Sequence, residues 1–140
     1  MTSANLELVQ SLYASWERGD FGSAVWADPE IEYVVADGPT AGTFAGHAGL
    51  REAHRDFLIA WKDWNVAADD YRELGDARIL VLFRFSALGR SSGLDVARIR
   101  TQGASLFELR DGLVTKLVQY LDRETALREL GLGPEIDSTR

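Results

Sequence analysis

The chain predicts an α+β domain in which helices cover one face of a bent antiparallel sheet. Three observations predict it. Helix-period apolar positions occupy the first half, hairpin-connected strand patterns fill most of the second, and hydrophobic residues make up 46% of the chain, enough for a sizeable core. At 140 residues the chain is near the commonest size for a single domain. Residues 1–133 are assigned to that domain, and "PEIDSTR" (134–140) is read as a flexible tail without structural signal.

The elements follow in order. Leu6, Val9, Tyr13 and Trp16 recur at helical spacing, and Gly19 can close that helix in a left-handed cap. Asp20 can N-cap a short second helix through about Trp26, which stops before "DPE". "IEYVVA" (31–36) is a strand closed by the turn-rich "DGPTAG". "GHAG" then leads into a third helix, Leu50 to about Asp63. "NVAADDYREL" is polar enough for an edge strand, whereas "RILVLFRFSAL" is apolar at nearly every position and fits burial on both faces. "GRSSG" is a flexible connection, and "LDVARIRTQGASLFEL" is a long strand whose internal Gly103 predicts a bulge or bend. After the loop "RDG", "LVTKLVQYL" returns antiparallel, and Asp122 caps a short final helix ended by Gly131.

Composition excludes several classes of function. A net charge of −7 disfavours binding to a phosphate backbone and reads most simply as solubility, so no nucleic-acid partner is expected. With no cysteine there is neither a disulfide framework nor thiolate chemistry. The N-terminus lacks a basic segment followed by an apolar run, and no stretch is long enough to span a bilayer. The expectation is a soluble cytoplasmic protein with no membrane partner.

Four pieces of the chain resemble a known family: "LYASWERGDFGSAV", "FAGHAGLREAHRDFLIAW", "FELRDGLVTKLVQYLD" and "DRETALRELGL". Their order and spacing are similar to the SnoaL-like polyketide cyclases and ketosteroid isomerase-like proteins of the NTF2-like superfamily. The resemblance implies a cone-shaped barrel, with three helices in the N-terminal half and a short one at the C-terminus. It further implies a deep apolar pocket for an apolar small molecule, a homodimer formed across the sheet, and no cofactor. The superfamily hosts enzymes and proteins without chemistry alike, so function has to be argued from the site.

Enolisation needs a base near the pocket and a donor for the developing oxyanion; in ketosteroid isomerase these are an Asp base with a Tyr and a protonated Asp as donors. Carried over by position, the first-helix Tyr falls on Leu12, one residue from Tyr13. The base position falls on Val34 or Tyr33, depending on a one-residue gap, and the second donor falls on Ser105. The resemblance therefore does not carry steroid isomerase chemistry.

The residues themselves give other candidates. Leu50, His54, Phe57 and Trp61 lie at i, i+4, i+7 and i+11, on one face of the third helix, which puts an imidazole among apolar groups. Burial would keep His54 neutral near pH 7, as base or donor, or simply as a core His satisfied by a hydrogen bond, for instance to Tyr33. Period-two alternation places Ser105, Phe107 and Leu109 on one face, with Glu108 and Arg110 on the other. If "RDG" is a three-residue bulged loop, Leu113, Thr115, Leu117, Gln119 and Leu121 share the Ser105 face; a two-residue turn would put Val114, Lys116, Val118 and Tyr120 there. The first register keeps Lys116 outside. The candidate set is thus His54, Tyr33 and Ser105 for catalysis, with Trp16, Phe57, Trp61, Phe107 and Gln119 for ligand binding. Arg98 and Arg100 face outward in this register, and a bulge at Gly103 would reverse them. Arg84 is read as part of a surface or dimer-interface ion pair rather than as buried with Asp70 or Asp95. No His/Asp/Glu set has metal-ligand spacing.

Overall fold

The computed structural model describes residues 4–20, 25–38, 41–89 and 98–132. Helix α1 (Ala4–Glu17) turns Val9, Leu12 and Tyr13 into the core, and Gly19, at φ +83°, ends it in the expected left-handed conformation. The Glu17 carboxylate accepts the Ala68 N–H at 2.8 Å and ties the helix end to the sheet. The expected second helix falls on residues 21–24, outside the described residues, and Val25–Trp26 form a turn.

Strand β1 (Ala27–Val35) starts four residues before "IEYVVA" and pairs with β2 (Gly42–Ala45), a short strand between the turn-rich segment and "GHAG". Helix α2 (Gly46–Ala60) begins inside "GHAG" and stops three residues short of Asp63. Trp61 is not helical: its backbone is extended (φ −130°, ψ 145°), and it opens β3 (Trp61–Glu73), where it pairs with Gly89. The remaining elements are β4 (Arg78–Gly89), β5 (Arg98–Arg110), β6 (Leu113–Tyr120) and α3 (Arg123–Glu129). The strands form one open, bent sheet in the order β2-β1-β6-β5-β4-β3, with β3 at an edge as its polarity predicts. Neighbours are antiparallel except β1 and β6, which run parallel. Residues 90–97, which include most of "GRSSG", Asp95 and the start of the predicted long strand, lie outside the described residues, as does the tail 134–140.

Two local expectations are corrected. Gly103 makes no bulge, because the β4–β5 ladder runs without a shift from Arg78–Glu108 to Leu88–Arg98. Glycine is required there by space: a Cβ would collide with the Phe83 ring and the Tyr120 carbonyl. The unbroken ladder keeps Arg100 on the outer face, exposed; the side chain of Arg98 lies outside the described residues. The β5–β6 loop is also not three residues long. Arg110 pairs with Leu113, and Asp111 and Gly112 both have positive φ (55° and 80°), which is the two-residue type I′ turn. Thr115 is then an extra residue between the Leu109–Val114 and Glu108–Lys116 pairs, its hydroxyl donating to the Glu108 carbonyl at 3.1 Å. The turn brings Val114 inward, and the bulge then restores Leu117 and Gln119 to the face of Ser105, as the sequence register required.

The alternation sorts two apolar layers. The inner layer, under α1 and α2, contains Tyr13, Ile31, Phe83, Phe85, Phe107 and Leu117. The outer layer, under α3, contains Leu80, Leu82, Leu106, Val118 and Leu127. No described helix is long and apolar enough to cross a membrane.

Candidate functional site

The inner face, α1 and α2 do not close completely on one another. They leave a cavity of about 360 Å³, within the ~300–1,000 Å³ usual for small-molecule sites. Its wall is mainly aromatic. All four tryptophans of the chain, Trp16, Trp26, Trp61 and Trp64, border it. Phe57 from α2 meets Trp64 edge-on at 5.4 Å and Phe85 at 5.8 Å, so the wall is locked by ring contacts between elements.

Tyr13, Ser105 and Gln119 form one hydrogen-bond chain at this wall. Facing pairs Ser105–Gln119 on β5–β6 and Tyr33–Leu117 on β1–β6 put three polar side chains on the same inward surface. The Ser105 hydroxyl donates to Gln119 Oε1. Tyr13 reaches the other side of Ser105, with the two hydroxyl oxygens 2.7 Å apart. Tyr33 and Gln119 both border the cavity on this surface. Burial pushes the Tyr33 hydroxyl up to about 12, opposed by the nearby Gln119 amide, and burial drives Tyr13 upward as well. Both phenols therefore keep their protons across the neutral range and can act as donors.

His54 lies on the cavity side of α2, between Leu50 and Phe57, and partial burial lowers its imidazole below the ordinary value. It is a neutral base at pH 7. Arg51, one turn earlier, is exposed at the cavity margin. His47 does not border the cavity; its Nε2–H donates to the Ala27 carbonyl at 2.9 Å. None of the described cavity-lining residues is a carboxylate. Among the described residues no group of three His, Asp or Glu side chains is placed to hold a metal ion.

Of the sequence candidates, His54, Tyr33, Gln119, Trp16, Phe57 and Trp61 border the cavity. Ser105 and Phe107 do not. Both are fully buried behind the wall, Phe107 stacked on Trp16 with ring centroids 6.2 Å apart. Tyr13 is the main residue that sequence reasoning left out of the site. Its helical spacing marked it as core, and its hydroxyl becomes informative only once Ser105 is seen opposite. Trp26, Trp64, Phe83 and Phe85 were likewise legible as core but not as wall. Arg84 is 63% exposed and pairs with Asp69 at 2.6 Å, a surface ion pair as expected and not a buried one with Asp70.

A family model for the SnoaL-like domain matches residues 9–117. The chain belongs to the SnoaL-like domain family. No curated protein sequence matches it. Among solved structures, TerC co-crystallised with polyporic acid is 25% identical, with a TM-score of 0.71 over 91% of this chain and 98% of that one. An NTF2-like protein of unknown function from Burkholderia pseudomallei is 20% identical, with a TM-score of 0.75 over 91% and 97%. A candidate polyketide cyclase from Xanthomonas campestris is 20% identical, with a TM-score of 0.66 over 91% and 93%. The SnoaL-like fold is thus NTF2-like, built here as an open bent sheet with three described helices.

Proposed function

We propose that this SnoaL-like chain binds an apolar, carbonyl-bearing small molecule in the inner cavity and catalyses acid–base chemistry of the isomerase or cyclase type on it. The observation that carries the reading is the conjunction of an aromatic cavity with one neutral imidazole and one hydrogen-bonded phenol–amide chain on its wall. In this reading the His54 imidazole takes a proton from the carbon beside the carbonyl. The C–H electron pair moves into the carbon–carbon bond, and the carbonyl oxygen takes up the charge as an enolate. Tyr33, Gln119 and Tyr13 on the wall orient that oxygen, with Ser105 behind them holding Tyr13 and Gln119. The same proton returned to another carbon completes an isomerisation; attack of the enolate carbon on a second carbonyl, whose oxygen takes the proton back from His54, completes a cyclisation. That TerC, which is similar to this chain, is co-crystallised with polyporic acid is in keeping with a small-molecule site in this fold.

The test is hydrogen–deuterium exchange of the α-protons of 2-decalone in D₂O, followed by NMR. The protein is expected to accelerate exchange, and His54→Gln to remove the acceleration. The absence of any carboxylate from the described wall favours a second reading, a binding module without turnover. Saturable binding of the ketone with no acceleration of exchange would establish that reading in place of the first. The proposal also includes a homodimer across the part of the outer face that α3 leaves uncovered; a monomer by light scattering at micromolar concentration removes that part.

A further inference from the structure

The inner cavity has no described carboxylate on its wall, yet one guanidinium stands at its margin. Arg51 is exposed and borders the cavity together with Leu50, His54 and Phe57 of the same helix. Among the described residues its side chain has neither an ion pair nor a hydrogen bond. The arginines of the sheet and of α3 differ: Arg72 is held by Asp70, and Arg84 and Arg123 share Asp69.

The sequence of α2 explains why Arg51 lacks a counter-ion. Helix side chains three and four residues apart are neighbours. For Arg51 those positions hold His47, Ala48, His54 and Arg55, none of them acidic. The acids of α2, Glu52 and Asp56, lie about 100° and 140° round the axis and fall on other faces.

An exposed arginine is ordinarily just solvated, its stem covering apolar surface. Here the cation sits against an aromatic hollow, and a ring body filling that hollow would leave its polar end at the margin. Such a site is complementary to an amphipathic anion. A guanidinium matches a carboxylate geometrically, two N–H donors facing two oxygens. The net charge of −7 opposes any diffuse attraction of anions, so a preference for one has to come from this local pairing.

We propose that the inner cavity takes apolar ring compounds that carry a carboxylate, with the carboxylate paired to Arg51 at the margin. Arg51 is then a specificity residue, and His54, its neighbour three residues on, is the base beside the anchored end. This narrows the substrate class of the function proposed above and rests on ligands occupying the cavity.

Two probes of nearly one shape test it: 2-naphthoate, ionised at pH 7, and 2-acetylnaphthalene, in which a methyl group replaces one carboxylate oxygen. Calorimetric titration measures both affinities, and the carboxylate is expected to displace the ketone. Arg51→Met keeps an apolar stem without the charge. It should lower the carboxylate-to-ketone affinity ratio about fivefold, the upper end for one exposed ion pair, and leave ketone affinity in place. Arg51→Lys should keep most of the ratio. Arg55→Met removes the same charge one turn away, off the cavity wall, and should keep all of it. Added salt should shrink the ratio in the wild type and not in Arg51→Met. A ratio unchanged in Arg51→Met, or reduced as much in Arg55→Met, overturns the proposal, as does a carboxylate that binds without displacing the ketone. In each of these results the ketone still binds and the cavity reading stands. Binding of neither probe by the wild type removes the cavity reading, and the inference with it.

Discussion

The inner and outer faces of the sheet are built by alternate residues of the same strands, yet they handle polar groups in opposite ways. On the inner face the polar groups are neutral, buried and joined in one hydrogen-bond chain, and the aromatic side chains beside them stop short of filling the space. On the outer face the aliphatic layer of Leu80, Leu82 and Leu106 is filled by Ala126 and Leu127 from α3, and the polar groups beyond it are charged. There Asp69 accepts from Arg84 at 2.6 Å and from Arg123 at 3.0 Å, while Arg123 also donates to the Phe83 carbonyl at 2.8 Å and locks α3 to the sheet. Burial alone would raise the Asp69 carboxyl, but the two guanidinium groups outweigh it and hold the group below its ordinary value. The difference separates a face that holds the domain together from one that can receive a ligand.

Substitutions on the two faces should therefore dissociate stability from binding. The largest effect is expected from Leu80→Ala, which empties a fully buried position in the outer layer and should lower stability by about 2–5 kcal/mol in urea denaturation. Ketone affinity of the folded fraction should be unchanged; a parallel loss would mean that the two faces are not separable. Gly103→Ala comes next, at about 1–3 kcal/mol, because its Cβ must displace Phe83 or the Tyr120 backbone. Full stability in that variant would contradict the unbroken β4–β5 ladder.

A smaller effect concerns His54. Its folded-state value is depressed, so the unfolded chain binds the proton more readily. Its contribution to stability is complete above the unfolded value of about 6.5 and declines as pH falls below it. The decline levels off once pH is below the folded value. Denaturation at a series of pH values should show this acid-side loss in the wild type and less of it in His54→Gln; identical profiles would place the imidazole in water. The smallest effect is assigned to Arg84→Ala, under about 1 kcal/mol, since the pair is solvent-screened and Asp69 keeps Arg123. A larger loss in thermal denaturation would show that the outer charges are structural in their own right.

Much of this contrast is legible in the sequence, for physical reasons that differ from residue to residue. Long amphipathic periods gave α1 and the strands β4 to β6, and alternation alone put Ser105 and Gln119 on one face. Strand β2 was not legible, because four residues between a turn-rich segment and a helix carry too little pattern. Trp61 continues the helical spacing of Leu50, His54 and Phe57, so its change to a strand is decided by pairing with Gly89, a contact 28 residues away in the chain. Gly103 was correctly marked as special but for the wrong cause, since sequence cannot separate a glycine that bends a strand from one that makes room for a ring. Tyr13 and Ser105 are 92 residues apart, and no local pattern links them.

The most direct test uses the four tryptophans that border the cavity and no others in the chain. Intrinsic fluorescence should change saturably as 2-decalone is added to the wild-type protein, and Phe57→Trp, which narrows the cavity, should weaken that binding. A spectrum that stays unchanged, or drifts without saturation up to the solubility of the ketone, would contradict the claim that the inner face is a ligand site.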